Sequence, residues 1–236
     1  MSFLTENRLK EIFSGNSLEI TTEQYEKFKT YAEMLVEWNE KINLTAITDD
    51  EGIAEKHFLD SVLPLTKVDV PRGTTLIDVG TGAGFPAIPM KIYREDIEIT
   101  LLDSLNKRIN FLSEVSDTLE LSADCIHSRA EDGGKNPDLR EKFDIATARA
   151  VAPLPVLCEY CLPFVKVGGK FLALKGPNEN AEDAKKAVEI LGGKICSTWN
   201  YSLPSGDNRR LIVIEKVKET PKKYPRDAGK IKKSPL

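Results

Sequence analysis

Residues 74–90 read Thr74-Thr-Leu-Ile-Asp78-Val-Gly80-Thr-Gly82-Ala-Gly84-Phe-Pro86-Ala-Ile-Pro-Met90. The short apolar run Leu76, Ile77 and Val79 predicts a buried parallel strand. It ends in glycines at alternate positions, and Pro86 suits the first turn of a helix, where a missing N–H costs nothing. Strand, glycine turn, helix is the layout in which an α/β sheet holds a nucleotide-like ligand at the carboxyl ends of its strands. The glycines let backbone approach the ligand, and N–H groups at the helix start favour an anion.

The spacing narrows the ligand. A dinucleotide fingerprint would read G-x-G-x-x-G, whereas this turn reads G-x-G-x-G with Asp78 two residues ahead of it. The pattern resembles the first motif of the Rossmann-like S-adenosylmethionine methyltransferases. In that class the acidic residue reaches the methionine amine and the glycine turn faces the methionine moiety. A tight turn needing glycines for geometry alone is the plainer alternative, so the surroundings decide.

Downstream of Thr74 strand and helix patterns alternate. Strands are predicted at Ile97–Leu102 (ended by Asp103), Ala123–His127, Phe143–Thr147 and Lys170–Lys175, the last after a turn at Gly168-Gly169. Helices fall at Leu105–Leu119, about Leu154–Val165 and residues 180–191, and the strands Lys194–Tyr201 and Arg210–Lys216 close the chain. Alternating βα units call for right-handed crossovers and a parallel sheet. The fold class expected is therefore α/β: a Rossmann-like class I S-adenosylmethionine-dependent methyltransferase fold with a seven-stranded, mostly parallel sheet. Upstream, residues 1–67 read as an N-terminal helical cap, with Thr21 or Thr22 capping a helix whose Tyr25, Phe28, Tyr31, Leu35 and Trp38 share one face. The organisation expected is the cap, a methyltransferase domain over 68–219 and a basic tail over 220–236, in one compact unit.

Ligands of such a sheet gather at strand exits, which selects residues 80–85, Asp103, Ala130-Glu131 and Arg149. Asp103 can accept both hydroxyls of a ribose, or else cap the helix that follows. Ala130-Glu131 stands where this fold brackets an adenine; a solvated surface acid is the alternative for Glu131. Arg149 ends an apolar strand, and arginine is rarely buried without a partner, so it is placed in the site. His57 is a candidate for lining the entrance, and His127 reads as structural. Cys158 and Cys161 have C-x-x-C spacing but no second pair or histidine cluster, so no metal is expected. Neither an Asn/Asp-Pro-Pro-Tyr motif nor a Pro-Cys nucleophile is present. A ring nitrogen with a free lone pair attacks a sulfonium methyl without either, and the protein then supplies alignment and desolvation.

Composition adds a local signal. The 236 residues are 41% hydrophobic and 30% charged with a net charge of −4, which by itself points to no nucleic acid. Residues 216–236, however, carry eight Lys/Arg against Glu219 and Asp227. Lys222, Lys223, Arg226, Lys230, Lys232 and Lys233 are the RNA-binding candidates, with phosphate-directed, salt-dependent affinity expected of them; a solvated, disordered end is the alternative. Four cysteines with no disulfide framework, no leader and no membrane-length apolar run predict a cytoplasmic, reduced protein.

Beyond the glycine turn, the chain resembles one family along almost its full length. The matching stretches include Trp38-Asn-Glu-Lys-Ile-Asn-Leu-Thr-Ala-Ile47, His57-Phe-Leu-Asp-Ser61, Asp78 to Pro86, Arg149-Ala-Val-Ala-Pro-Leu154 and Thr220-Pro-Lys-Lys-Tyr-Pro-Arg226. They resemble the bacterial 16S ribosomal RNA methyltransferase G family, also called glucose-inhibited division protein B. The resemblance implies methylation of guanine N7 in the 530 loop of 16S rRNA with S-adenosylmethionine, the partner being 16S rRNA or the small ribosomal subunit; a monomer is expected. Residue by residue, Gly80, Phe85, Ala130, Glu131 and Arg149 match the family's cofactor contacts, with Asp78, Gly82, Gly84 and Asp103 completing the expected set. The catalytic group stays unassigned among Arg149, Lys175, Arg209 and His57. A noncatalytic RNA-binding assembly factor of the same fold, and a methyltransferase acting on another RNA, are the alternatives.

Overall fold

In the computed structural model, which describes residues 3–149 and 151–236, the apolar runs form one sheet. Its strands are β1 (Thr75–Val79), β2 (Glu98–Asp103), β3 (Ala123–His127), β4 (Phe143–Arg149), β5 (Val165–Lys175), β6 (Gly193–Ser202) and β7 (Asn208–Lys216). The order is β3-β2-β1-β4-β5-β7-β6. β1 to β5 run parallel, while β7 is antiparallel to β5 and β6. The chain runs from β1 outward to β3 and then returns to β4 on the other side of β1. The strand order therefore reverses at β1, and a crevice opens at its carboxyl end.

Side chains alternate across the sheet, so each face has its own core. Leu76, Ile99 and Leu101 face a cluster that runs without a break into the N-terminal helices through Phe28, Tyr31 and Phe58. Ile77, Val79, Ala146 and Ala148 face Leu157, Cys161 and Phe164. Burial raises the pKa of both Cys158 and Cys161, which leaves them as helix-packed thiols.

The cap is built from local signals. Thr21, rather than Thr22, caps the helix Thr22–Ile42: its hydroxyl accepts the Gln24 N–H, and the Gln24 side chain accepts the Thr21 N–H. That helix ends at Asn43 in a left-handed conformation, and Asn39 Oδ1 takes the N–H groups of Leu44 and Thr45 at 2.6 and 2.8 Å. Phe58 then ties cap to sheet, with ring centroids 4.8 Å from Phe28, 5.5 Å from Tyr31 and 6.4 Å from Phe85. The Tyr31 hydroxyl donates to the Ala83 carbonyl inside the glycine turn.

Three expectations change. The helix around His57 is π-wound over Ile53–Leu59. Gly168-Gly169 lies within β5 as a bulge, where pairing steps from Phe143–Val165 to Ile145–Lys170. The tail is no loose end: Tyr224 and Ile231 are buried, and Ala228–Lys233 is a helix. Among the described residues, no helix is long and apolar enough to cross a membrane.

Replacing Phe58 with Ala empties the centre of the cap–sheet junction. The loss expected is about 3–5 kcal/mol, read as a lower denaturant midpoint; an unchanged midpoint would show the cap to be energetically separate from the sheet.

Candidate functional site

Three cavities lie side by side over the carboxyl ends of the strands. The first, about 490 Å³, is bounded by Gly80 after β1 and Ala130-Glu131 after β3. The second, about 400 Å³, covers the glycine turn and includes Phe85, Asp103 and Arg149. The third, about 360 Å³, is bounded by Lys56, His57, Asp60, Arg149, Lys175 and Arg209. Gly80, Ser104 and Val151 border the first two, while His57 and Arg149 border the second and third. The result is one groove with two ends, largely apolar with Glu131 at one and cationic at the other.

The glycine turn is held from both sides. At Gly82 φ is +63°, and a Cβ there would meet nothing within 4 Å, so the backbone stands open to the cavity. Gly84 does the opposite, since a Cβ there would lie 2.5 Å from Ile88 and 2.8 Å from the Tyr31 hydroxyl. Asp103 Oδ2 accepts the Gly82 N–H at 3.0 Å, and its Oδ1 accepts the Leu105 N–H at 2.9 Å. Asp103 thus straps the turn to the start of the helix Asn106–Thr118 while also lining the second cavity.

Asp78 corrects the sequence reading. It is fully buried beneath the turn and lines none of the three cavities. Thr81 donates to its Oδ2 at 2.6 Å and Thr147 to its Oδ1 at 2.9 Å. The Ala87 N–H, at the start of the next helix, also bonds to it, so the chain itself supplies the anion expected there. Burial pushes the Asp78 carboxyl up to about 7 despite these donors. All of its partners in this structure belong to the turn and its neighbours, which it fixes in place.

Arg149 is well partnered. One nitrogen donates to the Lys56 carbonyl at 3.0 Å and lies 3.5 Å from Asp60 Oδ2; the other donates to His57 Nδ1 at 3.2 Å. Its guanidinium sits 4.9 Å from the Phe85 ring, on which His57 stacks at 4.3 Å. With Nδ1 accepting from Arg149, the proton of a neutral His57 is on Nε2, which donates to Thr45 Oγ1 at 2.8 Å. Burial, aided by the charge of Arg149, lowers the His57 pKa to about 3. Asp60, passed over in the site reading although it stands in the quoted His57–Ser61 stretch, is the hub. It accepts from Tyr201 at 2.9 Å and from Arg209 at 3.3 Å besides facing Arg149. Lys175 donates to the Ala152 carbonyl at 2.7 Å and pairs with Glu179 at 3.0 Å, bracing the loop after β4.

Of the expected RNA contacts, Lys222, Lys223, Lys230, Lys232 and Lys233 are exposed. Arg226 is corrected. Its Nε and terminal nitrogen bond Glu159 at 2.9 and 2.7 Å, and its N–H adds a third bond at 2.8 Å, so it serves the fold.

A profile of the family described as rRNA small subunit methyltransferase G matches residues 24–211. The chain belongs to the rRNA small subunit methyltransferase G family. A Clostridium perfringens relative named Ribosomal RNA small subunit methyltransferase G is 51% identical over 232 residues, covering 97% of each chain. One of the same name from Acetivibrio thermocellus is 54% identical over 228 residues, covering 94% of this chain and 93% of its own. The crystal structure of a SAM dependent methyltransferase from Aquifex aeolicus superposes with a TM-score of 0.55 at 18% identity, covering 72% of this chain and 95% of that one. The fold is the Rossmann-like class I methyltransferase fold that this family shares.

The residues present fit S-adenosylmethionine, the family's cofactor. The open backbone at Gly82 leaves room beside the turn. Asp103 and Glu131 are carboxylates at the cavity walls, suited to hydroxyl and amine donors. Leu102, Val151, Val156 and Tyr160 give the first cavity the apolar surface a purine needs.

The His57 imidazole should show no titration by NMR between about pH 5 and 8, where a free histidine changes charge. Its folded pKa, about 3, lies below the ordinary 6.5. The stability it contributes is therefore complete above 6.5 and is lost as pH falls towards 3. His57→Gln should remove that part of the acid sensitivity. A midpoint near neutrality would contradict the buried, Arg149-bonded geometry.

Proposed function

We propose that this protein transfers the methyl group of S-adenosylmethionine to N7 of a guanine in the 530 loop of 16S rRNA, as a monomer in the cytoplasm. The observation that carries this reading is the two-ended groove, with Arg149 and His57 standing between a nucleoside-sized end and a cationic end.

The cofactor supplies a methyl group activated on a sulfonium. Guanine N7 attacks with its own lone pair, and no proton leaves, so no general base is required. The chain's task is alignment and exclusion of water. Positive charge grows on the purine as the bond forms, which makes an added cation beside the ring unfavourable. His57 is suited to that place because burial keeps it neutral. The charge of Arg149 is turned towards Asp60, consistent with a cofactor or phosphate contact. Lys56 and Arg209, bordering the third cavity with Asp60, suit the phosphates flanking a splayed-out nucleotide. The exposed tail lysines extend that basic surface with sequence-blind contacts.

Labelled S-adenosylmethionine incubated with ribosomal subunits and with free rRNA, followed by mass mapping, tests the reading. One added methyl on a 530-loop guanine is expected; unmodified RNA would favour a noncatalytic factor. Arg149→Ala should weaken both cofactor binding and turnover by at least about tenfold. Lys222→Gln and Lys223→Gln should each flatten the log–log salt dependence of RNA binding by about 1, and undiminished affinity would remove the tail from the interface.

A further inference from the structure

The tail carries more than surface charge. Ala228, Lys232 and Pro235 border the first cavity together with Ala130 and Glu131. The sequence marked Lys232 as an RNA contact only and left Ala228 and Pro235 unmarked, because they join the cavity from the far end of the chain.

Two devices seat the segment there. Glu159, on the helix Leu154–Cys161, has a side chain only 1% exposed and takes three bonds from Arg226. Such a bidentate pair is directional, and a buried carboxylate is costly to strand. Arg140 holds the approach, donating to the Tyr224 carbonyl at 2.9 Å and to the Thr220 carbonyl at 2.7 Å. Beyond them Ile231 is fully buried in the core. Ile231 is the last fully buried residue; past it Lys232 and Pro235 line the cavity, and Leu236 packs back against the same core.

We propose that the last residues of the chain form a wall of the cofactor cavity, enclosing its nucleoside end and setting cofactor affinity. Arg226 is then a positioning residue, acting through Glu159 to hold that wall in place. The inference rests on the reading of the first cavity as the nucleoside site.

Calorimetry with S-adenosylhomocysteine tests it on the full chain, on a chain ending at Ile231, and on Ala228→Trp, which pushes bulk into the cavity. Both variants should bind about tenfold more weakly, and Ala228→Trp should do so with little change in unfolding midpoint. For Ala228→Trp, turnover should show a raised KM for S-adenosylmethionine at saturating RNA, with kcat reduced much less than affinity. Should the shortened chain fail to fold, Ala228→Trp alone decides. Equal affinity in the folded variants overturns the wall, whereas a full chain that binds no S-adenosylhomocysteine overturns the cofactor reading itself.

Discussion

Everything at the site depends on a carboxylate buried beneath it. Asp78 lies fully buried at the end of β1, with Thr81, Thr147 and the Ala87 N–H directed at it. Those donors come from the turn, from the neighbouring strand and from the next helix. One side chain therefore fixes the mutual position of three elements at the point where strand order reverses. Burial opposes its charge and raises its pKa, and the three bonds offset only part of that penalty. Asp103 completes the restraint through the Gly82 N–H. A turn held this way has little order left to lose on binding, which is where preorganised sites gain affinity.

The cationic end follows the same logic with the signs exchanged. Arg149 and Arg209 converge on Asp60, and Tyr201 adds a hydroxyl to it. Asp60 holds both guanidiniums in place and offsets part of their charge, so this end stays cationic. Burial, reinforced by Asp60, raises the Tyr201 phenol far above its usual range, so it stays a donor. His57 packs on Phe85 as a neutral ring. For the proposed reaction, whose product is a cationic purine, a neutral ring is the suitable neighbour.

Much of this was legible in the chain. Short apolar runs, the glycine turn and the alternation of strand and helix patterns are local signals, and they place the strands, their order of use and the strand exits. Asp103, Ala130, Glu131 and Arg149 all border the groove because each follows a strand. What escaped was set by distant partners. The role of Asp78 depends on Thr147, 69 residues away. Arg226 reads as one more basic residue until Glu159, 67 residues earlier, is seen beneath it. Gly168-Gly169 looks like a turn because glycine pairs usually are, but β7 pairs along β5 from Lys170 onward and the glycines are absorbed as a bulge.

A crystal structure with S-adenosylhomocysteine bears most directly on the claim that a braced glycine turn shapes the nucleoside site. The nucleoside should lie along Gly80 and Gly82, between Asp103 and Glu131, with the turn unmoved. Density confined to the basin beside Lys175 and Arg209, or a turn that reorganises to admit the molecule, would contradict it.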